Sequence, residues 1–512
     1  MNECSLEILQ SFAKDFHVLP VWERKDIPQK SPVEIFKRFK NISRHCFILE
    51  SLEDKEQWGR WTFLGFEPKL ELSCLNGSVR LKNGIDMELP GCNPSQYIEQ
   101  ILNEHKSPPL SLVFPGQDLP PFTGGLVGYF SFEFVRYSAP RLQFETQGGE
   151  IFKDCDLMLF DKLIVWDNLK SCLYIFVNIK TEALEENYKC ALTEIERIKR
   201  ILEHGEELEI APLSIKSPFK EIFNKEQYCS MVEKAKHYIV EGDIFQVVLS
   251  NQLEAAVDGS IFDIYRVLRT TNPSPYMFYF SSDDIEIAGA SPETLVRLQL
   301  HQEEGSPPAL PHSGGTVFTF PLAGTRPRGK TPEEDAALER ELLGDPKELA
   351  EHNMLVDLGR NDLGKICEFG TVNVETYLSI QRFSHVMHIG STVRGEICPQ
   401  KSVMDAISAV LPAGTLSGAP KIRAIEIINE LENYKRGIYG GAIAYLGFAG
   451  NMDSCISIRI AYKKNNKVYV RSGAGIVADS VPETEYEECR NKMKAVLNAL
   501  QEAGRSAAPS SV

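Results

Sequence analysis

Two pairs of glutamates have the residue type and the spacing of metal ligands on helices. Glu348 and Glu351 lie three residues apart in ELAEHNMLVDLGRND, and Glu485 and Glu488 repeat this spacing near the C-terminus. Residues three apart share a helix face, where two like charges destabilise the helix unless a cation lies against them. If the two helices meet, four carboxylates converge, and such oxygen ligands favour a hard divalent cation, above all magnesium, over zinc. Two solvated helix faces are the alternative interpretation.

Both pairs lie on segments with the start and stop signals of helices. Asp345 and Pro346 suit the N-cap and the first position of the first helix, and Gly359 predicts its end. Ser480 and Glu483 form a capping-box pattern at the start of the second helix. Apolar residues at helical spacing predict the buried stripe of that helix: Tyr486, Cys489, Met493, Leu497 and Leu500.

An arginine and a glycine turn precede the second helix and could form an anion site with it. Residues 454–479 read as two antiparallel strands, with Arg459 on one face of the first strand among small residues. A guanidinium in such surroundings can bind a carboxylate through two hydrogen bonds. The second strand ends in Ser472-Gly473-Ala474-Gly475, where a ligand can approach the backbone. Arg459, this turn and Glu488 are therefore one candidate pocket, and an exposed strand arginine is the alternative.

Two further segments carry groups suited to anion binding or acid–base chemistry. The glycine turn in LPAGTLSGAPKIRAIEIINEL leads into a helix whose first N–H groups could hold a carboxylate or phosphate, although a plain turn fits the sequence equally well. His385 and His388 fall on opposite faces of a predicted strand, which argues against joint metal binding. One of them could serve as a general acid or base, and a structural histidine is the alternative.

The composition is that of a globular protein without a nucleic-acid or membrane partner. Of the 512 residues, 43% are hydrophobic and 25% are charged, which excludes disordered and fibrous classes. The formal net charge of −16 argues against nucleic acid or an anionic membrane as the main partner. The N-terminus has no apolar signal region and no apolar run could span a bilayer, so we expect a cytoplasmic protein. The 12 cysteines lack paired spacing, which predicts reduced thiols.

The length and the distribution of polar segments predict two main regions. We expect an N-terminal region over residues 1–205, a polar connector over 206–223 and a catalytic region over 224–505. Residues 506–512 are expected to form a disordered tail. The Gly- and Pro-rich stretch over 299–316 predicts a surface loop insertion.

Ten motifs follow one another along almost the whole chain: PPFTGGLVGY, GDIFQVVLS, NPSPYMFY, GASPE, PLAGTRPRG, ELAEHNMLVDLGRND, HVMH, GTLSGAPKIRA, YGGAIAY and RSGAGIVADSVPETEYEE. Together they resemble component I of anthranilate synthase, within the magnesium- and chorismate-using enzymes. The resemblance implies an α+β fold, in which two large, mostly antiparallel β-sheets pack as a sandwich flanked by helices. It also implies a lyase that converts chorismate and ammonia to anthranilate and pyruvate, the first step of tryptophan biosynthesis.

The resemblance also implies a role for each of several residues in the active site. Glu351 and Glu488 match the direct magnesium ligands of the family, and Glu348 and Glu485 match residues that act through water. Glu293 of GASPE matches the general acid that helps the 4-hydroxyl group leave. The remaining matches concern chorismate and pyruvate. The positions that match ring-carboxylate contacts are Gly324, Thr325 and Lys492; those that match contacts to the enolpyruvyl carboxylate are Tyr439, Arg459, Gly473, Ala474 and Gly475; those associated with the later loss of pyruvate are His388 and Thr415.

The same resemblance implies a heteromeric complex and feedback control. In the family, a glutamine amidotransferase subunit supplies the ammonia, and tryptophan inhibits the synthase. The residues that match the tryptophan-binding elements are Glu50, Ser51, Pro275, Tyr276 and Met277.

Two positions separate this family from its relatives. Isochorismate and salicylate synthases carry a water-activating lysine where this chain has Gln246, which disfavours water as the nucleophile. Aminodeoxychorismate synthase carries a nucleophilic lysine where this chain has Ala323 in PLAGT. Component I of aminodeoxychorismate synthase, from the folate pathway, is the nearest alternative function. A tryptophan-binding regulatory subunit without catalytic activity is the alternative from another class.

Overall fold

The computed structural model describes residues 4–26, 30–52, 59–144, 150–301, 314–383 and 386–505. Within these ranges the strands, in chain order, are β1 (Val18–Asp26), β2 (Cys46–Glu50), β3 (Trp61–Phe66), β4 (Leu70–Leu75), β5 (Ser78–Lys82), β6 (Asp86–Leu89), β7 (Gly125–Phe130), β8 (Cys155–Phe160), β9 (Lys162–Asp167), β10 (Cys172–Lys180), β11 (Ser214–Ile215), β12 (Lys220–Glu221), β13 (Gln246–Asp258), β14 (Tyr276–Ser281), β15 (Ile285–Ser291), β16 (Thr294–Leu300), β17 (Gly315–Thr319), β18 (Leu322–Pro327), β19 (Asn373–Arg382), β20 (Val386–Glu396), β21 (Gly418–Ala419), β22 (Ala442–Gly447), β23 (Met452–Ile456), β24 (Ile460–Lys464) and β25 (Lys467–Ile476).

The helices in the same ranges are α1 (Leu6–Phe12), α2 (Pro32–Ile42), α3 (Pro94–Glu104), α4 (Leu110–Val113), α5 (Leu184–His204), α6 (Lys225–Val240), α7 (Phe262–Thr271), α8 (Pro332–Leu343), α9 (Pro346–Leu363), α10 (Val403–Val410), α11 (Lys421–Glu432) and α12 (Pro482–Arg505). Single 3₁₀ turns cover Phe132–Tyr137 and Gly414–Leu416. Among the described residues, no helix combines the length and the apolar character that crossing a membrane requires.

The strands form two large antiparallel sheets, as predicted. One sheet of 13 described strands runs β1-β10-β9-β3-β2-β14-β15-β24-β25-β13-β11, with β12 and β21 also paired to β13. The other, of 12 described strands, runs β18-β20-β17-β16-β23-β22-β7-β8-β4-β5-β6, with β19 paired to β20. Aromatic rings from the facing sheets pack together, since the ring centroids of Phe47 and Phe160 lie 4.8 Å apart and those of Tyr129 and Phe280 lie 6.4 Å apart. The two sheets therefore form a sandwich with a shared apolar core.

Helices cover the outer faces of both sheets. Strand β10 is buried along most of its length because α5 packs on its outer side. Helix α12 packs on β25 and contacts α6 and α7, whereas α9 packs on β18 and β20 of the other sheet. The two helices that carry the glutamate pairs thus pack on different sheets.

Each sheet combines strands from both predicted regions. Strand β2 pairs with β14, and β7 pairs with β22, so chain segments from either side of residues 206–223 lie side by side. Within 206–223, the short strands β11 and β12 pair with β13. The division into regions stays a prediction. Of the predicted loop over 299–316, residues 302–313 lie outside the described residues, as does the predicted tail over 506–512.

Two predicted helix ends are wrong, each for a local reason. Helix α9 does begin after Asp345, but it continues through Gly359 and is capped by Gly364. Gly359 lies inside the helix, where a Cβ would come 3.1 Å from Thr319 Cγ2, so it serves close packing. Helix α12 begins at Pro482, and the hydroxyl of Ser480 accepts a hydrogen bond from Val477 N at 3.1 Å, outside the predicted capping box.

Candidate active site

The N-terminal half of α9 and the first turns of α12 bring the two glutamate pairs together. Burial raises the pKa of Glu351, and the charges on Glu348 and Glu488 raise it further. Burial likewise raises the pKa of Glu485, and the charge on Glu488 adds to this effect. The neighbouring glutamate charges disfavour ionisation of Glu351 and Glu485, and a divalent cation bound between the two helices would relieve that repulsion.

Two cations contact these glutamates directly. Lys492 Nζ lies 2.7 Å from Glu488 Oε1, one turn earlier on α12. Arg326 on β18 donates to Glu348 Oε1 at 3.4 Å. Arg326 is absent from the predicted site, although it belongs to the PLAGTRPRG motif. Its place directly after the predicted ring-carboxylate contacts is the signal that could have identified it.

A β-bulge at Gly324 places the PLAGT strand against α9. The register between β18 and β20 shifts between Ala323 and Thr325, and Gly324 has a φ of 68°. A Cβ on Gly324 would lie 3.2 Å from Glu348 Oε2, so a side chain there would crowd the glutamate. Across the bulge, His388 Nδ1 lies 2.8 Å from Gly324 O and 3.1 Å from Thr325 Oγ1. Gly324, Thr325 and His388 therefore adjoin the glutamates.

The neighbours of His388 define its charge and its tautomer. Burial lowers the pKa of His388, and the charge on Arg459 lowers it further, so the imidazole is neutral near pH 7. Because the carbonyl oxygen of Gly324 can only accept a hydrogen bond, Nδ1 carries the proton and the lone pair lies on Nε2. A histidine in this state can accept a proton from a ligand. His385 lies outside the described residues.

Glu293 lies in the turn between β15 and β16, with a half-buried side chain. Thr415 Oγ1, from the 3₁₀ turn Gly414–Leu416, donates to Glu293 Oε1 at 2.9 Å. Burial raises the pKa of Glu293 to about 7, against the opposing effects of the Thr415 hydrogen bond and the charges on Arg459 and Lys492. A carboxyl group with this pKa retains a proton in a large share of molecules near neutral pH, as a general acid requires.

Arg459 lies where the chain passes from one sheet to the other. Strand β23 ends at Ile456 in one sheet and β24 begins at Ile460 in the other, so the predicted continuous strand through Arg459 is wrong. Isoleucines alternate across the break, which is why the hydrophobic pattern concealed it. Arg459 has a left-handed φ of 53° in this crossover. Its charge lowers the pKa of both Glu293 and His388, so all three groups interact electrostatically.

Glycines on β25 leave room for side chains from neighbouring elements. A Cβ on Gly473 would lie 3.0 Å from Tyr439 Oη, and one on Gly475 would lie 2.6 Å from Gln246 Nε2. Ala474, between them, alternates to the other face and is buried in the core. In the described part of the chain, Gln246 Oε1 is buried and has no hydrogen-bond partner. A buried carbonyl oxygen in this state marks a place where a ligand or a water can donate a hydrogen bond.

The predicted inhibitor element combines the end of β2 with the start of β14. Glu50 pairs with Met277 in register, and Pro275 lies half-buried just before β14. Ser51 follows Glu50, and its hydroxyl is buried without a hydrogen-bond partner as far as the described residues extend. The structure therefore brings the predicted inhibitor residues together, on the same sheet as the glycine strand.

Two of these residues are engaged by other side chains. Arg269 Nε donates to Glu50 Oε1 at 2.6 Å, and the Tyr265 hydroxyl donates to the same carboxylate. Tyr276 Oη donates to Asp453 Oδ1 at 2.8 Å. Glu50 and Tyr276 thus help to shape the element through contacts within the protein.

A second group of potential metal ligands has cations of its own. His45 Nε2 lies 2.8 Å from Asp283 Oδ1, with Glu71 nearby. Lys82 Nζ lies 2.6 Å from Asp283 Oδ2, and Lys153 Nζ lies 3.0 Å from Glu71 Oε1. Because lysines already neutralise these carboxylates, the group is an ion-pair network.

Comparison with known proteins identifies relatives that match most of the chain. The family model described as chorismate binding enzyme matches residues 44–498. Anthranilate synthase component 1 of Acetivibrio thermocellus is 45% identical, with 98% of this chain and 99% of that protein covered. The same component of Acinetobacter calcoaceticus is 41% identical, with 95% and 96% covered. The crystal structure of anthranilate synthase component I from Streptococcus pneumoniae TIGR4 has a TM-score of 0.69 at 37% identity and covers 93% of this chain and 99% of its own. The chain belongs to the chorismate-binding enzyme family and is similar, over most of its length, to component 1 of anthranilate synthase.

Proposed function

We propose that the protein is the subunit of an anthranilate synthase that converts chorismate and ammonia to anthranilate, pyruvate and water. One observation carries this proposal: Glu293, with a pKa of about 7, feels the charges of Arg459 and Lys492, and Lys492 in turn pairs with Glu488. Chorismate has two carboxylates and a poor leaving group, its 4-hydroxyl. The site offers cations for the carboxylates and an acid for the hydroxyl group.

Chorismate is held through its two carboxylates in this proposal. Arg459 binds the enolpyruvyl carboxylate, and Tyr439 and the bare backbone of Gly473–Gly475 line the same position. Lys492 binds the ring carboxylate, together with the Gly324–Thr325 bulge beside the glutamates. The close contacts at Gly324, Gly473 and Gly475 support this arrangement, because any side chain there would collide with its surroundings.

A magnesium ion fits the glutamate cluster. The donors are all carboxylate oxygens, and their mutual repulsion, together with burial, raises the pKa of Glu351. Glu351 and Glu488 would be direct ligands, and Glu348 and Glu485 would act through water. When bound, magnesium neutralises the ring carboxylate and orients the ring.

Glu293 acts in the first half of the reaction. The lone pair of ammonia forms a bond to C2, the two ring double bonds shift to C1=C6 and C4=C5, and the C4–O bond breaks. The proton of Glu293 leaves with the departing hydroxyl group as water, and the new amine releases a proton that restores the acid. The hydrogen bond from Thr415 orients the carboxyl group for this transfer.

His388 acts in the second half. The hydrogen on C2 leaves as a proton, the C3–O bond to the enolpyruvyl group breaks, and the ring becomes aromatic. His388 Nε2 has the lone pair that this proton needs, because Nδ1 donates to Gly324 O. The released enolpyruvate takes up a proton and becomes pyruvate.

Two side chains support ammonia as the direct nucleophile. Gln246, which contacts Gly475, is a neutral amide and cannot deprotonate water. Ala323 on β18 has no amine with which to attack the ring, which disfavours the aminodeoxychorismate synthase alternative.

A glutamine amidotransferase subunit is the proposed source of ammonia. The relatives are named component 1, which implies a second component. We also propose a cytoplasmic location, which is supported by 12 cysteines that are all free.

Tryptophan is the proposed inhibitor, bound at Ser51 and the NPSPYM segment. The buried hydroxyl of Ser51 could bind a polar group of the ligand, which would remove the cost of an unsatisfied buried group.

A single assay tests the proposed reaction. Purified protein with chorismate, ammonium salt and magnesium should form fluorescent anthranilate and an equal amount of pyruvate. Accumulation of a compound that is aminated at C4 and retains the enolpyruvyl group would instead identify an aminodeoxychorismate synthase. Absence of turnover with retained tryptophan binding would identify a regulatory subunit.

A further inference from the structure

A group of charged and polar side chains lies buried behind the substrate-binding strand. It consists of Glu432 at the end of α11, Arg436, Arg471 on β25 and Ser250 on β13, and we call it the buried charge cluster. None of the four side chains is more than 1% exposed. The proposed reaction gives none of them a chemical role.

Glu432 is the centre of the cluster. Its Oε1 accepts hydrogen bonds from Ser250 N at 2.8 Å, Ser250 Oγ at 3.0 Å and Arg436 at 2.5 Å. Its Oε2 accepts from Arg436 Nε at 3.0 Å and from Arg471 at 2.6 Å. Although burial alone would raise the pKa of Glu432, the two guanidinium charges lower it, so the carboxylate is ionised.

The remaining donors of Arg436 reach two segments of the site. One nitrogen donates to Leu416 O at 2.6 Å, and another donates to Val248 O at 2.6 Å. Leu416 directly follows Thr415, the partner of Glu293. Val248 is opposite Gly475 in the pairing of β13 with β25. Arg436 therefore links the turn that orients the acid to the strand that lines the substrate position.

A second connection leads to Gly473 and Tyr439. Ser250 is opposite Gly473 in the same strand pairing. Arg471 Nε donates to Ser250 Oγ at 2.9 Å, and its guanidinium lies 5.9 Å from the centre of the Tyr439 ring. The cluster thus contacts the backbone of β13, which is paired with the glycine strand, and the backbone of the turn that carries Thr415.

We propose that the buried charge cluster fixes the glycine strand and the Thr415 turn relative to each other, so that Glu432 sets the affinity for chorismate without touching it. Glu432 is then a positioning residue, and the inference rests on the proposed function. Buried ion pairs add little net stability compared with apolar packing, whereas directional bonds to several carbonyls define distances. A displacement of about 1 Å in a site can cost on the order of 100-fold in rate, so the precision of this support matters.

The test compares chorismate binding in two variants that each lose a buried, cation-paired carboxylate. Glu432→Gln should raise the Kd for chorismate by about tenfold, measured by calorimetry with magnesium and without ammonia. The matched control is Asp156→Asn, because Asp156 is fully buried and pairs with Lys153 at 2.9 Å, and its contacts among the described residues, which include Ser282, lie outside the substrate-binding segments. The Kd of Asp156→Asn should stay within about twofold of the wild-type value, even if its unfolding temperature falls as far as that of Glu432→Gln.

Two results would overturn the positioning role. One is a Glu432→Gln protein that is less stable but binds chorismate as the wild type does, which is what a purely structural cluster predicts. The other is an equal loss of affinity in Asp156→Asn, which would assign the effect to general destabilisation. Anthranilate formation by the wild type is scored separately, so a failure of the proposed function is distinguishable from both.

If Glu432→Gln does not fold, a variant that removes only one hydroxyl group tests the positioning role. Ser250→Ala removes only the hydroxyl between Glu432 and Arg471 and leaves the ion pairs in place. It should raise the Kd for chorismate about threefold, whereas Ser281→Ala, which removes a buried hydroxyl bonded to Arg44 O at 2.9 Å, should not. An unchanged Kd in Ser250→Ala would contradict the proposal.

Discussion

Glu293 gives the active site its expected pH dependence. Burial raises the pKa of Glu293 to about 7, so its carboxyl group is protonated below that pH. As the pH rises through the pKa, the group loses its proton and can no longer act as a general acid. At a constant concentration of free ammonia, kcat should therefore fall about tenfold per pH unit above the pKa. Glu293→Gln should lower kcat by roughly 10²- to 10⁴-fold and remove this limb.

Thr415→Val provides the matched comparison for Glu293. The Thr415 hydrogen bond lowers the pKa of the acid, so its loss should move the alkaline limb to higher pH. The two rate profiles, recorded with the same buffers, measure this shift. An alkaline limb that persists in Glu293→Gln would assign it to another group.

Ser51 is where a single side chain should control inhibition. Ser51→Phe replaces a buried hydroxyl, which lacks a partner among the described residues, with a bulky ring, so tryptophan should inhibit the variant at least tenfold less while turnover is retained. Inhibition curves for anthranilate formation give the comparison. The control is Ser131→Ala, which alters another buried and unpaired hydroxyl, outside the inhibitor element. Equal inhibition of wild type and Ser51→Phe would remove Ser51 from the inhibitor site.

At the residue scale, the motifs predict the identity of the site residues better than they predict the contacts that position those residues. The resemblance named Glu293 and Thr415, and the structure joins them by a hydrogen bond. It did not name Arg326 or Glu432, because support from behind a site depends on three-dimensional neighbours. The left-handed Arg459 was also beyond prediction, since apolar residues alternate on both sides of the crossover.

At the scale of elements, the meeting of α9 and α12 should make the stability of the metal-free protein depend on pH. Burial and neighbouring charges raise the folded-state pKa of Glu351, so its contribution to stability is lost as the pH rises through that pKa. Glu351→Gln should therefore raise the unfolding temperature of the metal-free protein at pH 8.

Stabilisation of the protein by magnesium should require the Glu351 carboxylate, although the same carboxylate destabilises the metal-free protein. At 100 times its Kd, it should add about 2.7 kcal/mol to the wild type, and Glu351→Gln should lose most of this gain. Thermal unfolding with and without magnesium gives both quantities. Asp357→Asn is the control, because Asp357 is exposed on the same helix and pairs with Arg360 at 2.8 Å. A full magnesium effect in Glu351→Gln would exclude Glu351 as a ligand.

The sequence predicts both helices and the start of α9, whereas it does not predict the C-terminal end of α9 or the first residue of α12. Asp345 and Pro346 are strong start signals, and α9 begins there. Gly359 predicts a helix end because glycine often follows a helix, but close packing against Thr319 also requires a small residue. Local sequence cannot separate these two uses of glycine.

At the scale of the whole molecule, the predicted α+β sandwich is confirmed by two antiparallel sheets and by the likeness to anthranilate synthase component I. The strand order was not predictable from patterns within the chain. Neighbours such as β7 and β22 are far apart in sequence, and alternation of apolar residues specifies a face but not a partner.

The two regions share both sheets, which predicts that they fold together. Residues 1–205 and residues 224–512, produced separately, should each lack a cooperative thermal transition, because each loses the β2–β14 and β7–β22 pairings and exposes a strand edge in both sheets. Full-length protein cut once within 206–223 after folding should keep its transition, which controls for the break itself. Cooperative unfolding of the isolated 1–205 fragment would show that this region is an independent domain.

The pairing of β7 with β22 also constrains synthesis on the ribosome. Roughly 300 residues separate the two strands, so at about 5–20 residues per second the edge of β7 waits roughly 15–60 s for its partner. For roughly the first half of that interval, β2 also lacks β14, and the nascent chain exposes edges that can pair with other chains. We therefore expect the yield of soluble protein to depend on chaperone capacity and on translation speed more than on the final stability of the fold.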